Sequence, residues 1–380
     1  MSSRPSNLVG VGAGLAAAGV GAVLGLAAER WTLGRARAGG VAEPFGSLRG
    51  KARRVIADDG TPLYVEVDEP GDFGAKDSAA AVVTVVFSHG FCLNLDAWHY
   101  QRQALRGRYR LVLWDQRGHG RSGVGPAGSC TVDQCGHDLL QVLRAVAPEG
   151  PLVLVGHSMG GMTQMAFAAE QHPLVVERVV GVALVATSSG GLADVHWGLR
   201  GLLGQVAHRV APATLAGLAR TPRLVDRTRR LASDLEQAVV KRYSYASPVS
   251  ASLVRFSAAM IAATPIEVVA EYLPTFDLHD KREALDAFNG IEALVLSGQD
   301  DLMTPPEHSA EIVRHLPGAE HVLVADAGHL VMLERPDEVN LHLDELLVRS
   351  ARALERAAAS SARASSRLGV RRRSGRRTEQ

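Results

Sequence analysis

Three cysteines are all this chain of 380 residues contains, at positions 92, 130 and 135. An odd and low count excludes a disulfide framework, and the spacings are not those of metal-binding pairs. Cys130 and Cys135 would pair only in an oxidising compartment; otherwise the three read as idle, buried thiols. Lysine is almost as scarce, four of 41 basic residues, so arginine is the default cation throughout. No internal repeat is present. Acidic and basic residues nearly balance overall, but not evenly. The last thirty residues hold nine Arg against two Glu, a net charge of +7, so the other 350 carry −6 within the formal total of +1. A mildly acidic body offers no basis for a nucleic-acid partner.

What is present is distributed in three parts. Leu8 to Ala28 is a run of 21 Leu, Val, Ala and Gly residues. As a helix rising about 1.5 Å per residue it matches a hydrocarbon layer roughly 30 Å thick. A retained membrane anchor is the expectation, ahead of a cleaved signal and secretion, because no small-residue cleavage site follows cleanly. Arg30, Arg35 and Arg37 lie just beyond the span and predict a cytoplasmic body. Gly10/Gly14 and Gly21/Gly25 have the spacing of helix-pairing motifs, which glycine-rich runs also produce by chance. Residues 29–50 read as a linker, which with the span makes a first segment, 1–50. The tail 351–380 is small, polar and basic without apolar period, and is expected to be disordered. Its arginines either attract anionic lipid or reflect composition alone.

Between these ends, short solid apolar runs recur at Ala81–Phe87, Leu111–Trp114, Leu152–Val155, Val179–Val185 and Ala293–Leu296, and a further strand is read at His321–Val324. Runs of this kind are strands covered on both faces. Val55-Ile56 and Leu63–Val67 flank Asp58-Asp59-Gly60 as a hairpin. Helix-like segments at Trp98–Leu105, Cys135–Val146, Met159–Gln171 and Glu307–Leu316 alternate with the strands, which predicts a mainly parallel, doubly wound α/β sheet. The alternation lapses over 188–276, where Leu192–Leu218, Leu224–Tyr243 and Val249–Tyr272 read as helices of a cap. The core is then 51–187 with 277–350.

In LVLVGHSMGGM, residues 152–162, a buried strand runs directly into a serine between glycines. A sharp strand-to-helix turn lifts the Ser158 hydroxyl above the sheet edge, and Gly156 and Gly160 allow the crowding because they lack Cβ. A serine nucleophile needs a base, and the base needs an orienting acid. GQDD places Asp300 and Asp301 after one later strand, and AGH places His329 after the next, in the order Ser, Asp, His. Asp301 is the preferred acid, since it directly precedes the Leu-Met-Thr-Pro turn. His89-Gly90 forms a tight loop that offers the Phe91 N–H. With the Met159 N–H it makes a two-donor oxyanion hole. His89, His119 and His157 read as turn-stabilising residues, and Asp115 as an organiser of its loop.

These stretches, HG at 89–90, DQRGHGRSG at 115–123, GHSMGG at 156–161, GQDDLMTP at 298–305 and GHLVMLERP at 328–336, resemble the α/β-hydrolase superfamily. The resemblance implies an α/β-hydrolase fold: a mostly parallel eight-stranded sheet, helices on both faces, and a helical cap inserted after strand six. It implies serine esterase or lipase chemistry without metal or organic cofactor, on a small-molecule acyl ester. Serine at 158 departs from the aspartate of dehalogenases and epoxide hydrolases of this fold. Acyl transfer, perhydrolysis or C–C bond hydrolysis could use the same three residues, and a non-catalytic ligand-binding protein is the reading from another class.

Overall fold

A computed structural model describes residues 44–73, 83–194 and 233–375. The run 8–28 and most of the expected cap helix Leu192–Leu218 lie outside the described residues. Among the described residues there are eight strands: β1 (Lys51–Ile56), β2 (Pro62–Asp68), β3 (Thr84–Ser88), β4 (Arg110–Trp114), β5 (Leu152–His157), β6 (Val179–Val185), β7 (Glu292–Gly298) and β8 (Glu320–Val324). They form one sheet in the order β1-β2-β4-β3-β5-β6-β7-β8. β1 with β2 and β2 with β4 are antiparallel; every other pair is parallel.

Period-two alternation explains why the strands are solidly apolar. Val85, Phe87, Leu111, Leu113, Val153, Val155, Ala183, Val185, Leu294 and Leu296 point into one core. Their neighbours Val86, Val112, Trp114, Leu152, Leu154, Val182, Leu184 and Val295 point into a second core on the other face. Each face is covered by helices, so neither set can be polar. Helices α1 (His99–Leu105), α9 (Val331–Glu334) and α10 (Pro336–Gly375) lie on the first face. The helices α2 (Val132–Val146), α3 (Met159–Glu170), α4 (His172–Arg178) and α8 (Pro306–His315) pack toward the second. Thr131 caps α2 by accepting the Gln134 N–H at 3.1 Å.

The cap follows β6. Its described helices are α5 (Ser233–Ser244), α6 (Ala251–Ala263) and α7 (Ile266–Leu278). The stretch read as helical over Val249–Tyr272 holds α6 and the start of α7, bent by 91° at the break between them. Pro265 is the cause: it supplies no N–H to continue α6, and the residue before a proline is pushed out of the helical region, as Thr264 is (φ −77°, ψ 124°). Among the described residues no single helix is long and apolar enough to cross a membrane.

Both flanks of the body differ from expectation. The end of the expected linker is docked on it: Phe45 stacks on Phe256 at 4.9 Å between ring centroids, and the Gly50 N–H donates to Glu66 at 2.9 Å. Residues 351–375, expected to be disordered, continue α10 as a helix of 40 residues. Val339, Leu343, Leu346 and Leu347 anchor the start of that helix in the first core. The alanines that follow favour its propagation.

Candidate active site

All the parallel strands end on one edge, and the candidate residues follow those ends. Ser158 sits between β5 and α3 with φ 52° and ψ −119°, a strained conformation costing about 1–3 kcal/mol. Surrounding contacts hold it there: its N–H donates to Val185 O at 2.9 Å, and its carbonyl accepts the Thr187 hydroxyl at 2.7 Å. The glycines leave no alternative. A Cβ on Gly160 would stand 2.1 Å from Ser88 O, and one on Gly156 would stand 2.6 Å from the Gly160 backbone.

The three predicted polar residues meet in a line. His329 Nε2 lies 3.0 Å from Ser158 Oγ, and His329 Nδ1 lies 2.8 Å from Asp301 Oδ2. Asp301 is buried whereas Asp300, its neighbour, is exposed. Its Oδ1 accepts the N–H groups of Met303 (2.8 Å) and Thr304 (3.0 Å), and Oδ2 also accepts the Thr304 hydroxyl (2.8 Å). Burial works to raise its pKa, but the adjacent imidazole and the Thr304 donors outweigh it, and the carboxyl lies below its ordinary value.

The supporting residues form the floor behind this line. His89 accepts the Gln116 N–H at Nε2 (3.0 Å) and therefore donates from Nδ1 to Gly90 O (2.7 Å). His119 likewise accepts the Cys92 N–H (3.0 Å) and donates to Arg117 O (2.9 Å). His157 donates from Nε2 to the carbonyl of His329 at 2.9 Å, and so braces the residue that faces Ser158. Burial keeps all three neutral, lowering His119 to about 4 and His157 to about 3. Gly90 must be glycine because a Cβ would lie 2.5 Å from His157 Nδ1. Asp115 accepts the N–H groups of Leu95 (2.7 Å) and Arg121 (2.8 Å) and so ties two loops together. Phe91 follows in the turn closed by Leu93 N–H to Gly90 O. Met159 opens α3, where the first N–H groups have no partner within the helix.

Above Ser158 lies a cavity of about 430 Å³. The core lines it with Phe91, Leu93, Met162, Met303 and Leu330. The cap adds Val239, Val240, Tyr243, Ile261, Leu273 and Phe276. Ser158, His157 and His329 form its polar base. Cap and floor touch through Tyr272 and Phe276, whose rings lie 5.7 and 5.1 Å from that of Phe91. Thr187, Thr304 and the buried Glu334 carry no role in the sequence reading. A hydroxyl in a turn, or a carboxylate at the end of a single helical turn, has no local signature, although Thr304 and Glu334 fall within the quoted stretches 298–305 and 328–336.

A strained serine, an imidazole and a carboxylate on the carboxyl edge of a parallel sheet, under a helical cap, define a hydrolase of the α/β class. Comparison with known proteins agrees. The model of the alpha/beta hydrolase fold family matches residues 83–336, and the chain belongs to that family. It is 28% identical over 276 residues to the sn-1-specific diacylglycerol lipase ABHD11 of Mus musculus, covering 71% of this chain and 82% of that protein. It is 25% identical over 279 residues to 3-oxoadipate enol-lactonase 1 of Acinetobacter baylyi, covering 73% of this chain and 90% of that one. A thermophilic esterase from Thermogutta terrifontis shares the fold with a TM-score of 0.60 at 24% identity, over 80% of this chain and 100% of the esterase. The chain is an enzyme of the hydrolase class, and its curated relatives include a lipase and a lactonase.

Proposed function

We propose that the protein hydrolyses carboxylic esters with an apolar, medium-chain or lipid-like acyl part, through an acyl-enzyme on Ser158. The observation that carries this reading is the Ser158–His329–Asp301 line opening into an apolar cavity of about 430 Å³. Ser158 Oγ attacks the acyl carbon while its proton passes to His329 Nε2. The carbonyl oxygen becomes an oxyanion held by the Phe91 and Met159 N–H groups, where one donor is worth on the order of 100-fold in rate or more. Collapse expels the alcohol, which takes the proton from His329. Water then gives a proton to the same nitrogen and attacks the acyl carbon. The acid leaves and Ser158 recovers its proton. Asp301 holds the Nδ1–H tautomer and stabilises the imidazolium.

The test is a series of p-nitrophenyl esters of graded chain length. We expect kcat/KM to rise from acetate into the medium chains, and Ser158→Ala to abolish turnover with its circular dichroism spectrum unchanged. Undiminished hydrolysis by that variant refutes the assignment. We further propose that residues 8–28 anchor the chain with the body on the cytoplasmic side. Proteolysis of the body from outside intact spheroplasts would overturn that orientation.

A further inference from the structure

Glu334 is a buried carboxylate, 8% exposed, at the end of the single-turn helix α9. It has no catalytic contact, yet it accepts four hydrogen bonds from two separate segments. Its Oε2 accepts the N–H of Gly328 at 2.6 Å, one residue before His329. Its Oε1 accepts the Ala246 N–H (2.9 Å), the Ser247 N–H (2.6 Å) and the Ser247 hydroxyl (2.7 Å), all from the segment that leaves cap helix α5. A second tie runs beside it, from the Leu330 N–H to Ser244 O at 2.9 Å. The two segments are in close contact: a Cβ on Gly328 would stand 2.9 Å from Ser244 O and 3.0 Å from Ala246 N. Ser244 and Leu330 both line the cavity above His329.

We propose that Glu334 is a positioning residue that clamps the base of the cap to the loop carrying His329, so that cap placement and imidazole placement are one mechanical unit. The proposal rests on the ester-hydrolase reading above for its activity readout only. A carboxylate suits the place because it is acceptor-only on both oxygens, and four donors converge on it. Glutamine has the same shape but must turn its NH2 toward one donor set. If the carboxamide oxygen stays with the three cap donors, the NH2 opposes the Gly328 N–H, and the His329 loop loses its hold.

The experiment compares the full chain with Glu334→Gln. We expect kcat/KM to fall about 10- to 100-fold, the consequence of losing a charged hydrogen bond. The loss should lie mainly in kcat, for short and long esters alike, and the acidic limb of the pH profile should move. Independently of any substrate, the low-field proton NMR resonance of the His329 Nδ1–H should shift or broaden. If Glu334→Gln does not fold, Glu334→Asp replaces it, with the charge kept and the reach shortened by one methylene, and the same changes are expected. A folded variant that loses only thermal stability, with kcat, pH profile and His329 resonance as in the wild type, overturns the proposal. A wild type inactive on every ester would sink the ester reading instead, and the resonance comparison would still decide the role of Glu334.

Discussion

Replacing Asp301 by asparagine tests the reaction scheme at its most constrained point. The two backbone N–H groups of Met303 and Thr304 both address Oδ1, at 2.8 and 3.0 Å. They hold the carboxamide oxygen of an asparagine at that position, because its NH2 would face two donors there. The NH2 therefore falls where Oδ2 was, 2.8 Å from His329 Nδ1. Nδ1 must then accept, the ring proton moves to Nε2, and Nε2 points that proton at Ser158 Oγ 3.0 Å away. The base is in place but in the wrong tautomer. The expected loss in kcat is on the order of 10⁴-fold, as the serine-protease precedent in which the equivalent change was made would give, or about 5.4 kcal/mol of barrier. KM should change little, since Asp301 does not line the cavity. Steady-state hydrolysis of a medium-chain p-nitrophenyl ester measures it, with circular dichroism to establish folding. A folded Asp301→Asn enzyme within tenfold of the wild-type kcat would refute the tautomer argument.

Gly160→Ala should not yield folded enzyme at 37 °C, since its Cβ would lie 2.1 Å from a backbone oxygen of β3, which cannot retreat as a flexible side chain would; a soluble variant with a wild-type melting curve would contradict the packing. Asp115 gives the pH dependence. Burial raises its carboxyl to about 6, against the Leu95 and Arg121 N–H bonds that favour the charge. Because the folded pKa lies above the unfolded one, the associated stability is full below about pH 4 and lost as pH rises through about 6. Relative to Asp115→Asn, the wild type should therefore lose on the order of 2–3 kcal/mol between pH 4 and pH 7. Urea denaturation at the two pH values reads it, and a difference that is flat or grows with pH would be inconsistent with a penalised carboxylate.

The parts of this molecule legible in the sequence are those decided locally. Leu152–Val155 and Val182–Val185 lie in strands because successive residues enter different cores, and a run apolar at every position satisfies both cores at once. Ser158 is legible for the same reason: the crowding that demands Gly156 and Gly160 arises within one strand, one turn and one helix start. The break at Thr264-Pro265 is local in the same sense, since the proline ends the helix that precedes it. The docking of Phe45 on Phe256 and the clamp at Glu334 were not readable, because their partners lie far along the chain, 87 residues away in the case of Ser247.

The candidate site stands between these cases. The order Ser, Asp, His after three strands follows from the sequence, and parallel pairing puts all three on the same edge. Edge placement alone is not enough. With strands about 4.8 Å apart, β8 lies three positions from β5, roughly 14 Å away. A histidine standing directly over the end of β8 would not reach Ser158. The loop 325–329 must lean back across two strands, and it does so with Asp326 at φ 49° and with Gly328 pressed against the cap. The 3.0 Å contact between His329 and Ser158 therefore depends on what holds that loop over: the bond from His157 to the His329 carbonyl beneath it, and Glu334 with the Ser244 carbonyl at its side. The placement of the candidate side chains is a property of the strand ends, whereas their convergence is a property of the cap and the turn that follows β8.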